Sequence, residues 1–464
     1  MIYLEYTVAS LEDWNKKIEN IVDDIGLDYY DQEFEIIGYK DMLAYEAYLG
    51  MPSRYPHWSF GKAYEKNSTT YSYNLSGLPY EMVINSDPCI AYLMKENTLL
   101  LQILTMAHVY GHNDFFKNNR LFAEGTRADY TVEMFKTDAD MVRSYIKDPS
   151  IGYESVERIL DAAHAIKLQT SRVVGEKRIT DEELKRRIIK EYTNKNTNRS
   201  ILEPYKKDEA PDISKIPLET EDDLLYFIIR YGGLSEWEKN LLQVVRKETS
   251  YFIPQIETKI MNEGWASYCH YNILKKLNLP DKLYLEFIKR HNDVIAPGIG
   301  FINPYFIGFK MFEYLHKKYG KEKIFEVRKL ERDESFIRRY LTKELCYDLN
   351  LFEYAKENEN YVIKDIPDDK GWINIRNTLC SSCGMGMIPY IRITDMSIRD
   401  KTLTLEHVFD GRELNMGYAE STIKYIYELW GHTVVLKTKI EDGELSLICE
   451  SKDRVIKRMT QMKI

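Results

Sequence analysis

The stretch "NTLLLQILTMAHVYGH" at 97–112 constrains this chain more than any other, because its apolar residues fall on nearly every face of a helix. A helix that is apolar all round has no solvent side, so it belongs at the buried centre of a large body or inside a membrane. Gln102 interrupts the run and two histidines end it, which leaves it too short and too polar for a membrane span. The pattern therefore predicts a long buried helix over about 90–117. A chain of 464 residues is too long for one core and predicts two or three domains.

Around that helix the patterning is mostly helical. "ASLEDWNKKIENIVDD" at 9–24 is amphipathic and starts with a capping-box-like Ser10-x-x-Asp13. Further helices are predicted at 150–170, through 222–276, and at about 281–292, 307–319 and 321–331. Between 40 and 90 the chain is rich in Gly, Pro, aromatics and turn residues, which predicts short strands and ordered loops there. Residues 176–222 are charged and poor in large apolar side chains, as a polar surface excursion is. After about 370 the period becomes two, and the order reads as a β-β-α-β-β module with "EDGE" as its last turn. The fold class expected is mainly α with an α+β C-terminal module, divided as a helical body over 1–370 and a small domain over 371–464.

A net charge of −9 argues against a nucleic-acid binder. The N-terminus lacks a basic region followed by an apolar one, so no secretory leader is expected. Six scattered cysteines fit a reduced, cytoplasmic protein. "CSSC" at 380–383 has zinc-knuckle spacing, but no second pair completes a four-ligand site. No phosphate-binding glycine loop or serine-hydrolase elbow is present.

The chemistry concentrates in three segments. His108 and His112 lie four residues apart, roughly 6 Å along one helix face, as one ion needs from two imidazoles. Two buried, hydrogen-bonded histidines are the plainer reading. The polar run "NDFFKNN" behind them, Asp114 included, favours a site, because buried polar groups require partners. "MNEGWASYCH" supplies Glu263 as a third ligand, while His270, two turns on, is a second-metal, supporting or proton-carrying group. Asp114 and His270 are the acid–base candidates. Glu157, Asp161 and His164 share one face of another helix with the carboxylate–histidine spacing of di-metal bundles, a pattern that solvated helix faces also show.

"GMPSRYPHWSFGK", "YEMVINSDPCIAYLMKENT", "AHVYGHNDFFKNN", "VVRKETSYFIPQIETKIMNEGWASYCH", "INPYFIGFKM" and "LTLEHVFDGRELNMGYAESTIKYIYELWGHTVVLKT" together resemble the stage V sporulation protein R (SpoVR) family, over about residues 5–450. The resemblance implies a role in forming the spore cortex, a peptidoglycan layer, and association with a serine kinase. It brings no settled activity. Cys269 stands where the family usually has tryptophan, a change that alters packing beside the site. A second likeness is to gluzincin metallopeptidases, in which His-Glu-x-x-His is completed by a glutamate on a later helix. His108, His112 and Glu263 occupy those ligand positions, but Val109 stands where the general-base glutamate belongs. A valine cannot deprotonate bound water.

Three functions are then expected. The first is a metal-dependent, hydrolase-like enzyme with zinc or iron, acting on a cell-wall fragment or peptide. Arg54, His57 and Lys62 would grip an anionic substrate, and Asn303 and Tyr305 would supply polar contacts. The second is a non-catalytic regulator of metallohydrolase descent that works through a kinase or other partner. The third is a di-metal oxidase using Glu157, Asp161 or His164.

Overall fold

The computed structural model describes residues 6–72, 81–175, 177–197, 210–298, 302–357, 360–440 and 443–461. The chain is mostly helical with a small strand-rich module near its C-terminal end, as the patterning predicts. No helix among the described residues is long and apolar enough to cross a membrane. Packing divides the chain into two compact units, one of Met1–Ser144 with Ser250–Met387, the other of Tyr145–Thr249 with Ile388–Ile464. Composition draws that line elsewhere, because Gly371–Ser381 is a helix whose Ile375, Leu379 and Cys380 join the first unit's core.

In the first unit, β1 (Gln32–Ile37) runs parallel to β3 (Cys89–Met94), which pairs antiparallel with β2 (Glu81–Ile84) on its other side. "CIAYLM" of β3 is buried on both faces as a central strand. A short apolar run of that kind cannot be told from helix by periodicity, and the helix expected from about 90 starts only after it. Thr98 restarts the chain as α1 (Leu99–Asn118), its side chain accepting from Leu101 N–H. The 40–90 region also departs from expectation. Tyr39–Ala47 and Trp58–Ser72 are helices, and Phe60, Tyr64 and Tyr71 recur at helical spacing with ring or core contacts. Met42, Leu43 and Ala47 are buried in the first of these, and Phe60 alone in the second, which forms despite the weak propensity of its Gly, Ser and Thr residues. Residues 73–80 of that region lie outside the described ones.

Three helices carry the core of this unit: α1, α2 (Lys259–Lys276) and α4 (Pro304–Tyr319), with α3 (Asp281–Val294) beside them. Their approach depends on glycine at two places. A Cβ on Gly111 of α1 would stand 2.6 Å from Ala266 Cα of α2, and one on Gly264 of α2 would stand 2.3 Å from Gly308 Cα of α4. Backbone thus meets backbone on both sides of α2. Its first turn is capped from afar by Asp333, whose carboxyl oxygens accept from Ile260 and Met261 N–H, each at 2.9 Å.

The second unit holds a five-stranded sheet, ordered β8-β7-β6-β5-β4: β4 is Ile391–Met396, β5 Leu403–His407, β6 Val434–Ile440, β7 Gly443–Ser451 and β8 Arg454–Gln461. β5 and β6 are parallel, joined through the helix Met416–Trp430, and the other pairs are antiparallel. The module therefore has one strand more than the sequence reading. Of the "EDGE" turn, 441–442 lie outside the described residues. The helix Gly152–Ile166 packs on Met416–Trp430, and the polar excursion contributes an exposed helix, Asp181–Thr197.

Candidate metal centre

α1 places His108 and His112 one turn apart and turns both rings toward α2, where the Gly111–Ala266 contact leaves little space. His108 Nε2 stands 3.7 Å and His112 Nε2 3.5 Å from Glu263 Oε2. These separations are longer than hydrogen bonds, and that oxygen, buried, has no hydrogen-bond partner. Glu81, first residue of β2, joins from the other side, with Oε1 3.9 Å from His108 Nε2. Strand alternation explains its aim: Met82 and Ile84 are buried on one face, while Glu81 and Val83 share the other. Ligand atoms of Glu81, His108 and His112 all lie within 4.8 Å of one another.

The two imidazoles are held by their far nitrogens. His112 Nδ1 is 2.9 Å from Asn262 Oδ1, an acceptor, so Nδ1 carries the proton and Nε2 presents a lone pair. His108 Nδ1 is 2.9 Å from His270 Nδ1, and His270 Nε2 is 2.8 Å from His291 Nδ1. Burial, reinforced by His108, holds the His112 ring down at about 4, against the opposing pull of Glu263 and Asn262. Burial and the neighbouring imidazoles hold His270 well below the ordinary histidine value. Burial raises the Glu263 carboxyl, but His108, His112 and Lys259 outweigh it and keep it below its usual value. Burial pushes the Glu81 carboxyl up. Tyr305 is raised first by Glu263, then by burial and Glu81.

Two imidazoles and two carboxyl groups, with one oxygen unpartnered, suit a divalent ion. Metal–nitrogen and metal–oxygen bonds of about 2.0–2.2 Å set tetrahedral ligand atoms about 3.4 Å apart, close to the spacings between Glu263 Oε2 and the two Nε2 atoms. Orientation through a hydrogen bond at the other ring nitrogen is the usual support for a ligating histidine.

Residues 5–388 match the SpoVR-like protein family, and residues 389–441 match its SpoVR-like C-terminal domain. The chain belongs to the SpoVR family. The uncharacterized protein YcgB of Escherichia coli (strain K12) is 34% identical over 487 residues, spanning 96% of this chain and 94% of that protein. No solved structure matches it.

Other residues singled out in this SpoVR chain have other employment. Asp114 is fully buried, accepting from Asp28 N–H and Trp265 Nε1–H, each at 2.8 Å, and lying 3.3 Å from Arg328 Nη1. Asn113 bonds Tyr30 and Gln32, Asn118 bonds Asp28, and Asn119 bonds Arg328 and Glu331 carbonyls. The polar run behind His112 is thus a fastening for two loops. Asn303 caps α4, accepting from Tyr305 N–H and donating to Val294 and Ala296 carbonyls. Arg54 is buried, its guanidinium 4.6 Å from the centre of the Phe60 ring and beside Tyr55, Phe135 and Phe252, so it is a core cation and not a surface charge. His57 bonds Ser59, and Lys62 lies over Trp58. Glu157, Asp161 and His164 belong to the second unit, where Glu157 accepts from Tyr153, and none enters the cluster found among the described residues.

Glu81, Asn262 and His291 were not singled out from sequence. His291 left a trace, since it continues the apolar stripe of Leu283 and Phe287 at four-residue steps. Glu81 left none, because only the strand pairing brings it to α1.

Proposed function

We propose that this chain is a divalent-metal-dependent, hydrolase-like enzyme whose ion, zinc or iron, is held by His108, His112 and Glu263, with Glu81 as a further ligand. The observation that carries the reading is Glu263 Oε2, a buried oxygen without a hydrogen-bond partner that faces two oriented imidazole nitrogens. Bound there, such an ion polarises a carbonyl or phosphoryl oxygen and lowers the pKa of water. The chain's own groups do the rest. Asn262 and His270 hold the imidazoles, and the Tyr305 ring stacks beside His108 at 6.2 Å. Val109 is fully buried and has no group that can accept a proton, so the base of a gluzincin peptidase has no counterpart at its usual position. The likeness to gluzincins lies in the ligand motifs. A cell-wall fragment or peptide as substrate, a cytoplasmic role in forming the spore cortex and a serine-kinase partner accord with the family's name and associations, and are part of the proposal.

A regulator that keeps the ion for structure is the second reading, and Val109 favours it. Elemental analysis tests the first. The wild type is expected to carry about one ion per chain after purification or reconstitution, and the double variant His108→Ala, His112→Ala to carry none. A wild type that stays metal-free after reconstitution with zinc and with iron would sink the proposal. Metal content that survives in the double variant would move the site elsewhere.

A further inference from the structure

His270 is fully buried and His291 nearly so, and both extend the centre inward through two N···N contacts of 2.9 and 2.8 Å. Each contact needs one N–H and one lone pair, and a neutral imidazole has one of each. With all three rings neutral, the line has two consistent proton arrangements. In one, His108 Nδ1 donates to His270, and His270 Nε2 donates to His291 Nδ1, which leaves His108 Nε2 as a lone pair facing Glu263 and Glu81. In the other, every proton is on the opposite nitrogen and His108 Nε2 carries a hydrogen that blocks any ion. The arrangement that leaves His108 Nε2 open requires His291 Nδ1 to accept.

We propose, resting on the reading of the cluster as a metal centre, that His270 and His291 are positioning residues whose hydrogen-bonded line fixes the tautomer of His108 and so keeps its Nε2 open to the ion. His291 is built for a fixed role. Its ring stacks on Tyr271 at 4.6 Å and meets the Phe309 ring edge-on at 4.9 Å. Burial, with Lys310 and His108 adding to it, holds its pKa at about 4, so it stays neutral at physiological pH. His270 sits on α2 with Glu263, and the Gly111 and Gly264 contacts that fix α2 also fix the distance between these two side chains and His108.

The tautomers can be read directly, without a metal, from long-range proton–nitrogen spectra of the full chain labelled with 15N histidine. The expected pattern is a proton on Nδ1 of His108 and on Nε2 of His270 and His291. A proton on Nδ1 of His270 overturns the proposal. A second arm uses zinc alone as probe. His291→Phe keeps a ring between Tyr271 and Phe309 but offers no lone pair, and is expected to weaken zinc binding about tenfold to hundredfold. His291→Gln restores an acceptor oxygen and is expected to stay within about threefold of the wild type. A folded His291→Phe that binds zinc as tightly as the wild type overturns the proposal, and so does a folded His291→Gln as weak as His291→Phe. A wild type that binds no zinc or iron rejects the metal reading instead, and the tautomer pattern then judges the histidine line by itself.

Discussion

α1 carries two polar stretches in succession, and they are satisfied in different ways. Beyond His112, the Asp114 carboxylate has three partners from the protein itself: Trp265, the Asp28 amide and Arg328. Asp333, at the start of α2, is likewise engaged by two backbone amides. One turn earlier on α1, the side chains of His108 and His112 face Glu263 Oε2, which has no such partner. Buried carboxylates are ordinarily satisfied, so the difference separates groups that hold the fold together from groups left for something else to complete. A buried acidic residue becomes evidence for a ligand only when its protein partners fall short.

Breaking the satisfied side has the largest expected effect. Asp114→Ala leaves Arg328 as an unpaired charge in the core and Trp265 without its acceptor, and is expected to lower stability by about 3–5 kcal/mol in denaturant unfolding. If it unfolds at the wild-type midpoint, Asp114 is no fastening. On the other side, Asn262→Ala removes the acceptor that orients His112 and is expected to weaken metal binding about tenfold to hundredfold while the metal-free protein melts within about 1 kcal/mol of wild type. Unchanged affinity in titrations would detach Asn262 from the site. The last effect is spread over a range of pH. Burial pushes the Asp333 carboxyl up to about 8, so the native state keeps a proton that the unfolded chain has released above about 4. Stability then falls as pH rises from about 4 to about 8, by at most about 1.4 kcal/mol per pH unit, and Asp333→Asn should flatten that limb. Parallel wild-type and variant curves across this window would contradict it.

Much of the fold was legible, and for a physical reason. Val8–Ile25, Gly152–Ile166 and Asp281–Val294 are amphipathic and announce themselves by period, and the sheet of the second unit by alternation. "CIAYLM" misled because long-range burial, which no local pattern reports, decides its form, whereas "WSFGKAYEKNSTTYS" is a helix with Phe60 alone buried and misled through its turn-forming composition. His108, His112 and Glu263 were legible because helical spacing converts directly into a shared face. The role of Asp114 was not, since a carboxylate beside two histidines reads alike whether it faces them or Arg328. Glu81 and the His270–His291 contact depend on pairings between distant elements, and Asn262 differs from any other polar residue only by what lies opposite it.

The remote cap on α2 also bears on how the protein is made. His108 and Asp333 are separated by roughly 225 residues, which a ribosome delivering about 5–20 residues per second takes roughly 11–45 seconds to add. During that interval α1, covered on every side in the finished molecule, has emerged while α2 lacks its cap and then α4 its place against Gly264. A newborn chain therefore leaves this apolar helix uncovered throughout that interval, and a chaperone that holds it serves until residue 333 has left the exit tunnel.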